Sequence, residues 1–295
     1  MNLPIERSCV TPPEAAQTEF RQRLEAWRKL FVQCGQKPSR KRVHELRVLT
    51  QRLLAEAAYC RDNEDLDAKA ARTVQRWEKQ GKKLRRALSS VREADVCLEK
   101  LAGLRAAVPG GGDLHATRRC QQQIAKLECM LVGERARAAQ VLSVRMRERR
   151  ESLERLQGNL AARIATPIQH LGGRSTSVVG ELLAALEAEF PQLEEANLHD
   201  FRKRVKQVRS LAEIAAPGDA QAHAQAAALK KMQVATGQWR DWQVLAAKAD
   251  NAKSAELAEL LEAKAGQALG KALGQCRRLL AKLRERGDET PARQN

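Results

Sequence analysis

Two histidines, His44 and His199, each open a run of cations at helical spacing. The first run reads Val43-His44-Glu45-Leu46-Arg47 and continues to Gln51 and Arg52. The second reads Leu198-His199-Asp200-Phe201-Arg202-Lys203 and continues to Lys206 and Arg209. At about 100° per residue, the third, seventh and tenth positions after each histidine share one side of a helix. In the second copy that side carries His199, Arg202, Lys206 and Arg209, while Phe201, Val205, Val208 and Ala212 lie opposite. One face is suited to packing. The other is a ladder of donors and positive charge, and its natural ligand is a polyanion. Arg presents a fork of donors able to bridge two oxygens, and Lys a compact point charge. A histidine donating to such a ligand is favoured in its protonated form.

The whole chain has the same bias. Lys and Arg number 53 against 36 Asp and Glu in 295 residues, a formal charge of +17. That excess cannot be absorbed in surface ion pairs, and it sets up a field that attracts anions. Aromatic residues make up only 3% of the chain, too few for the stacking platforms that readers of unpaired bases use. Seven cysteines are scattered without a CxxC pair, so neither a zinc site nor a disulfide framework is expected. The histidines have no second His or Cys at i+3 or i+4, which argues against a metal site. No cofactor and no catalytic residue are expected. A nucleotide-binding glycine loop and a carboxylate tract for Mg²⁺, such as ExExK, are both missing, so the chain reads as non-enzymatic. No stretch reaches transmembrane length and Met1 to Pro13 has no signal-peptide core, so a cytoplasmic protein without membrane contact is expected.

The elements that must position these residues are almost all helical. Ala, Leu, Glu, Gln, Lys and Arg dominate, and Gly and Pro mark the breaks. The pattern predicts helices over 14–34, 39–60, 65–107 and 113–165, then 177–190, 192–215, 219–249 and 253–286. Thr166-Pro167 and Leu171-Gly172-Gly173 are expected to form a linker over 166–176 between two halves, 14–165 and 177–286, with flexible tails at 1–13 and 287–295. The halves share a second motif. Lys82-Lys83-Leu84 aligns with Lys230-Lys231-Met232, and Arg92-Glu93 follows in one half where Arg240-Asp241 follows in the other. Two motifs repeated in the same order predict an all-α fold of two four-helix bundles packed with approximate two-fold symmetry.

At these residues the chain resembles the CHAD family, the conserved histidine α-helical domain. The resemblance rests on Val43-His44-Glu45-Leu46-Arg47-Val48, on Leu198 to Lys203 with Lys206 and Arg209, and on Thr236-Gly237-Gln238-Trp239-Arg240-Asp241, more loosely matched by Leu88 to Glu93. It covers roughly 14–286. It implies two helical bundles around a basic channel that binds inorganic polyphosphate, with association at polyphosphate granules in bacterial members. The chain departs from the pattern at Gln51, at Leu54 (where the second copy has Arg209) and at Glu93. The first half is therefore expected to make fewer phosphate contacts.

The candidate polyphosphate-binding residues are His44, Arg47, Arg52, Lys82, Lys83, Arg92, His199, Arg202, Lys203, Lys206, Arg209, Lys230, Lys231 and Arg240. Packed histidines, and structural ion pairs at Arg92 and Arg240, are the competing readings. Arg40-Lys41-Arg42, Arg145 to Arg150 and Arg277-Arg278 read as solvated faces, and Trp239 and Trp242 as core anchors. A helical protein binding nucleic acid in general is the alternative function, since a charge of +17 would serve it too.

Overall fold

A computed structural model describes residues 12–64, 66–107, 114–173, 175–215 and 220–288. Among them every regular element is a helix: α1 (Pro12–Gln36), α2 (Arg40–Asn63), α3 (Ala68–Ala107), α4 (Leu114–Glu148), α5 (Arg150–Gly173), α6 (Ser175–Glu189), α7 (Glu195–Ala215), α8 (Ala220–Asn251) and α9 (Ala255–Asp288). The fold is all-α. Most of residues 1–13 and 287–295, expected as tails, and the expected breaks at Val108–Gly112 and Pro217-Gly218 lie outside the described residues.

Local chemistry sets the helix starts. Ser39 is extended (φ −70°, ψ 156°) and its hydroxyl accepts from Arg42 N, capping α2 directly after Pro38. The Asp67 carboxylate accepts from Lys69 N at 2.8 Å and Ala70 N at 2.6 Å, capping α3. The α8–α9 turn closes through Lys253, whose φ of 54° is left-handed, while Ser254 N reaches back to Ala249 O at 3.0 Å.

Two expected boundaries fall elsewhere. The single helix predicted over 113–165 is interrupted at Arg149, so the first half holds five helices among the described residues rather than four. The backbone nearly continues there, with Arg149 N on Arg145 O at 3.3 Å and Leu153 N on Arg149 O at 2.9 Å. The break spans one residue without a loop, and Gly or Pro spacing could not mark it. The linker expected over 166–176 is helical through Gly173, because α5 runs on past Pro167. A proline deletes one amide donor from the ladder, and here α5 tolerates that loss.

Three apolar cores hold the helices. The first joins α1, α2, the early part of α3, the end of α4 and α5, around fully buried Trp27, Phe31 and Trp77. The second joins α6, α7, the start of α8 and the end of α9. The third is built from the end of α3, the start of α4, the end of α8 and the start of α9, through Leu101, Leu127, Leu245 and Leu257 among others. The long helices α3, α4, α8 and α9 therefore each serve two cores. Across the halves α2 touches α7, α3 touches α8 and α4 touches α9.

The packing faces of the two histidine helices agree with the sequence pattern. Phe201, Val205, Val208 and Ala212 are all fully buried, as are Leu46, Thr50, Leu53 and Ala57 in the first copy. Each large apolar side chain removed from water contributes roughly 1.5–3 kcal/mol. Thr50 fits because its hydroxyl donates to Leu46 O at 2.7 Å and accepts from the Trp27 indole at 2.9 Å. With these faces fixed inward, the cationic faces of α2 and α7 must turn toward the junction between the halves.

Candidate functional site

A cleft of about 480 Å³ opens at that junction. α2 lines it with His44 and Arg47, α3 with Ser89, Arg92 and Glu93, α7 with Arg202 and Lys206, and α8 with Gln233, Gln238, Arg240 and Asp241. A neighbouring cavity of about 460 Å³ shares Arg92, Val96, Gln238 and Asp241 with it and adds Lys100, Trp242 and Lys264. The two adjoin across these four residues and together line a basic groove.

Its cations have few partners. Among the described residues, Arg47, Arg92, Arg202, Lys206 and Arg240 form no ion pair within 4.0 Å. The buried Nε atoms of Arg47, Arg85 and Arg202 have no hydrogen-bond partner among the described residues. Of the two carboxylates in the cleft, Glu93 faces Lys248 at 3.9 Å. Asp241 is left among the cations. Burial pushes its carboxyl above the ordinary carboxylate range, opposed by Lys100, Arg202, Arg92 and Arg47.

Burial and crowding together lower the proton affinity of the ladder residues inside the cleft. Burial first, then Arg202, Arg47 and Arg85, with Asp241 opposing, together lower the Lys206 ammonium to about 7. Burial and then Arg92, Arg202 and Arg85 lower Arg47 from its ordinary value, while burial lowers Arg202, with Asp241 opposing. Arg side chains nonetheless stay charged at any pH of interest. His44 is held below the usual histidine range by burial, then by Arg92 and Arg47. Positive charge is thus concentrated here against its own repulsion, an arrangement that a bound anion relieves.

The structure brings together His44, Arg47, Arg92, Arg202, Lys206 and Arg240. The other candidates lie elsewhere. His199 is exposed and does not line the cleft; burial, Lys203 and Arg240 lower its pKa. Lys203 is exposed and pairs with Asp200 at 2.8 Å. Lys82 pairs with Glu78 at 3.0 Å, and Lys83 and Lys231 are exposed on α3 and α8. Arg52 and Arg209 converge on Glu213: Arg52 donates to one carboxylate oxygen at 2.9 and 2.8 Å, and Arg209 Nε to the other at 2.9 Å. Lys230 lines a third cavity of about 350 Å³ beside that pair, with Arg23, Arg52, Ser210, Glu213 and His223.

Sequence reasoning missed Arg85, Lys100 and Glu213. Arg85 directly follows the Lys82-Lys83-Leu84 motif, and it donates to Gln51 at 2.9 Å. Gln51 therefore occupies its ladder position to hold a cation rather than to supply one. Lys100 stands 4.1 Å above the Trp242 ring, a cation–π contact that places Trp242 at the groove, half-buried. Trp239 is buried, as expected. Leu54 is also explained: it packs on Gly81, where an added Cβ would come within 2.9 Å of it, so this position belongs to the α2–α3 seam.

No group of three metal-ligating side chains occurs among the described residues. The described cysteines are all free. Cys34, Cys60, Cys97 and Cys276 are buried, and burial raises each thiol, Cys34 to about 11 and Cys97 and Cys276 to about 12. No described helix is long and apolar enough to cross a membrane. The family model for the CHAD domain matches residues 14–250, a span that includes both histidine helices and the Arg240-Asp241 motif. No curated protein and no solved structure matches the chain.

Proposed function

The chain belongs to the CHAD family, and from that premise we propose that it binds inorganic polyphosphate, without catalysing its turnover, in the groove between α2, α3, α7 and α8. The observation that carries this reading is the set of Arg47, Arg92, Arg202 and Lys206 gathered in one cleft without ion-pair partners among the described residues. Each internal phosphate carries about one negative charge and only acceptor oxygens, which such donors match. The groove reads no sequence, and it has room for a flexible chain along its two connected cavities. The same reading takes the halves as an approximately two-fold pair around the groove and places the protein at polyphosphate granules.

Competition of long-chain polyphosphate against RNA, duplex DNA and orthophosphate at 0.15 M salt, roughly the physiological ionic strength, tests it. Long chains should win at matched phosphate concentration. Affinity should fall with salt by a log–log slope of about −0.7 for each phosphate contacted, by analogy with single strands. RNA or DNA winning would replace this reading with general nucleic-acid binding. A flat salt response, or orthophosphate competing equally, would remove the polyanion altogether.

A further inference from the structure

We propose that Glu213 is a built-in competitor for the ligand, dividing the basic tract into an open compartment for short phosphate chains and a latched one that only longer chains enter. The proposal rests on the polyphosphate reading above and goes beyond it by assigning a determinant of chain length.

The open cleft ends at Lys206 and Gln233. The next donors along the same helices are Arg52 on α2 and Arg209 on α7, followed by Lys230 at the cavity beyond. Lys206 and Glu213 are seven residues apart on α7, about 10 Å along the axis. Between the two cavities the Glu213 carboxylate accepts on both oxygens: Oε2 from Arg52 and Oε1 from Arg209. Arg209 also donates to Gln233 Oε1 at 2.9 Å, and Gln233 lines the open cleft. The junction is therefore a single knot of α2, α7 and α8 tied on one carboxylate.

A guanidinium fork engages carboxylate and phosphate oxygens in the same geometry. Glu213 thus holds Arg52 and Arg209 as a phosphate would, and the knot marks an anion position already filled from within. A chain confined to the open cleft leaves it intact. A chain that continues past Gln233 offers both arginines a second anion tethered to the first, so its effective concentration is high. Glu213 can then be displaced, since its side chain is 20% exposed. Arg23 takes no part, being held by buried Glu56 at 2.7 Å and by Glu19 at 2.7 Å. Lys230 is exposed and lines the same cavity, where it can receive the next phosphate.

The test is titration of the full chain, wild type and Glu213→Gln, with tripolyphosphate and with long-chain polyphosphate. Gln keeps an acceptor for the arginines but removes the competing charge. Long chains should bind about tenfold tighter to the variant, the equivalent of one weakened charged hydrogen bond. Tripolyphosphate should change by less than about twofold, because Glu213 lies about 10 Å along α7 from Lys206 and its charge is already met by Arg52 and Arg209. Equal tightening for both ligands would make Glu213 a general field effect and overturn the proposal. So would unchanged or weaker long-chain binding, which would make the knot purely structural. If Glu213→Gln fails to fold, Arg52→Gln carries the same contrast: long chains lose affinity and tripolyphosphate keeps it, and equal losses overturn the idea. Wild type binding neither ligand would remove the underlying polyphosphate reading and this proposal with it. Wild type binding both while the variants show no contrast between them would remove this proposal alone.

Discussion

The faces of α2 and α7 carry the same motif and put it to different uses. On α7 the third and seventh positions after the histidine, Arg202 and Lys206, both enter the cleft unpaired. On α2 the third position, Arg47, enters it, but the seventh is Gln51, which holds Arg85 at 2.9 Å. At the tenth position the copies separate completely. Arg209 binds Glu213, whereas Leu54 is buried against Gly81. The first helix thus supplies one direct cleft cation and holds a neighbouring arginine whose charge acts on Arg47 and Lys206, while the other helix supplies two directly. Helical spacing sets the side on which a residue emerges. What it meets there is set by another helix.

The largest effect expected from this comparison is loss of the cleft cations themselves. Replacing Arg47, Arg202 and Lys206 with Ala should weaken long-chain polyphosphate by two orders of magnitude or more, at ~1.5–3 kcal/mol per charged contact before screening. Helical content should persist, because the opposite faces of α2 and α7 carry the core. Titration paired with circular dichroism checks both halves of the statement. Retained affinity would move the ligand off the cleft.

Next in size is a pH dependence that separates Lys206 from its counterpart Gln51. Without ligand Lys206 has been lowered to about 7 from an ordinary 10.5. Phosphate beside it restores the proton, so binding takes one up. Affinity should be level below about pH 7 and fall as pH rises above it, by at most about tenfold per pH unit for one proton. Lys206→Arg should flatten the fall, since a guanidinium stays charged. Long chains isolate the effect from the titration of terminal phosphates. A wild-type profile that is level from about pH 7 to 9 would show that Lys206 does not touch the anion.

The contrast between helices was only partly legible in the sequence. The buried side of α7 could be read residue by residue from Phe201 to Ala212, because burial has a 3.6-residue period. The convergence of Arg47, Arg92, Arg202, Lys206 and Arg240 was expected only through the resemblance to the CHAD family, which implies one basic channel. Glu213 was not legible as a partner of Arg52, which lies in the other half of the chain, since no local pattern encodes a tertiary ion pair. Lys82, Lys83 and Lys231 matched the repeat and Lys203 the family pattern, but they face outward or pair with a carboxylate three or four residues away on their own helix. The break at Arg149 left no mark because its residues are ordinary helix formers.

A smaller effect concerns stability. Folding lowers the proton affinity of Lys206, so its charged form destabilises the ligand-free protein below about pH 7, and that cost is relieved as pH rises toward 10.5. Lys206→Met should therefore raise the melting temperature near neutrality by ~2–4 °C and have little effect in alkaline buffer. Thermal melts at the two pH values decide it. An equal gain at both would assign the change to packing instead of charge.

The smallest effect should come from the histidines that open the two motifs. His44 lines the cleft beside Arg47 and Arg92, and these with burial hold its pKa below 6.5. His199, in the same motif, is exposed and outside the cleft. An anion in the cleft raises the His44 pKa, so His44 takes up a proton on binding only in acid, a window distinct from that of Lys206. His44→Gln should accordingly cost affinity below about pH 6 and little at pH 8. His199→Gln should leave affinity within about twofold throughout, because an exposed imidazole outside the cleft is screened from a ligand within it. Should His199→Gln cost as much as His44→Gln, the ligand would run instead over the outer face of α7, past Lys203 and toward Arg240. The repeated histidines would then be equivalent contacts, and the cleft would be the end of the path rather than its middle.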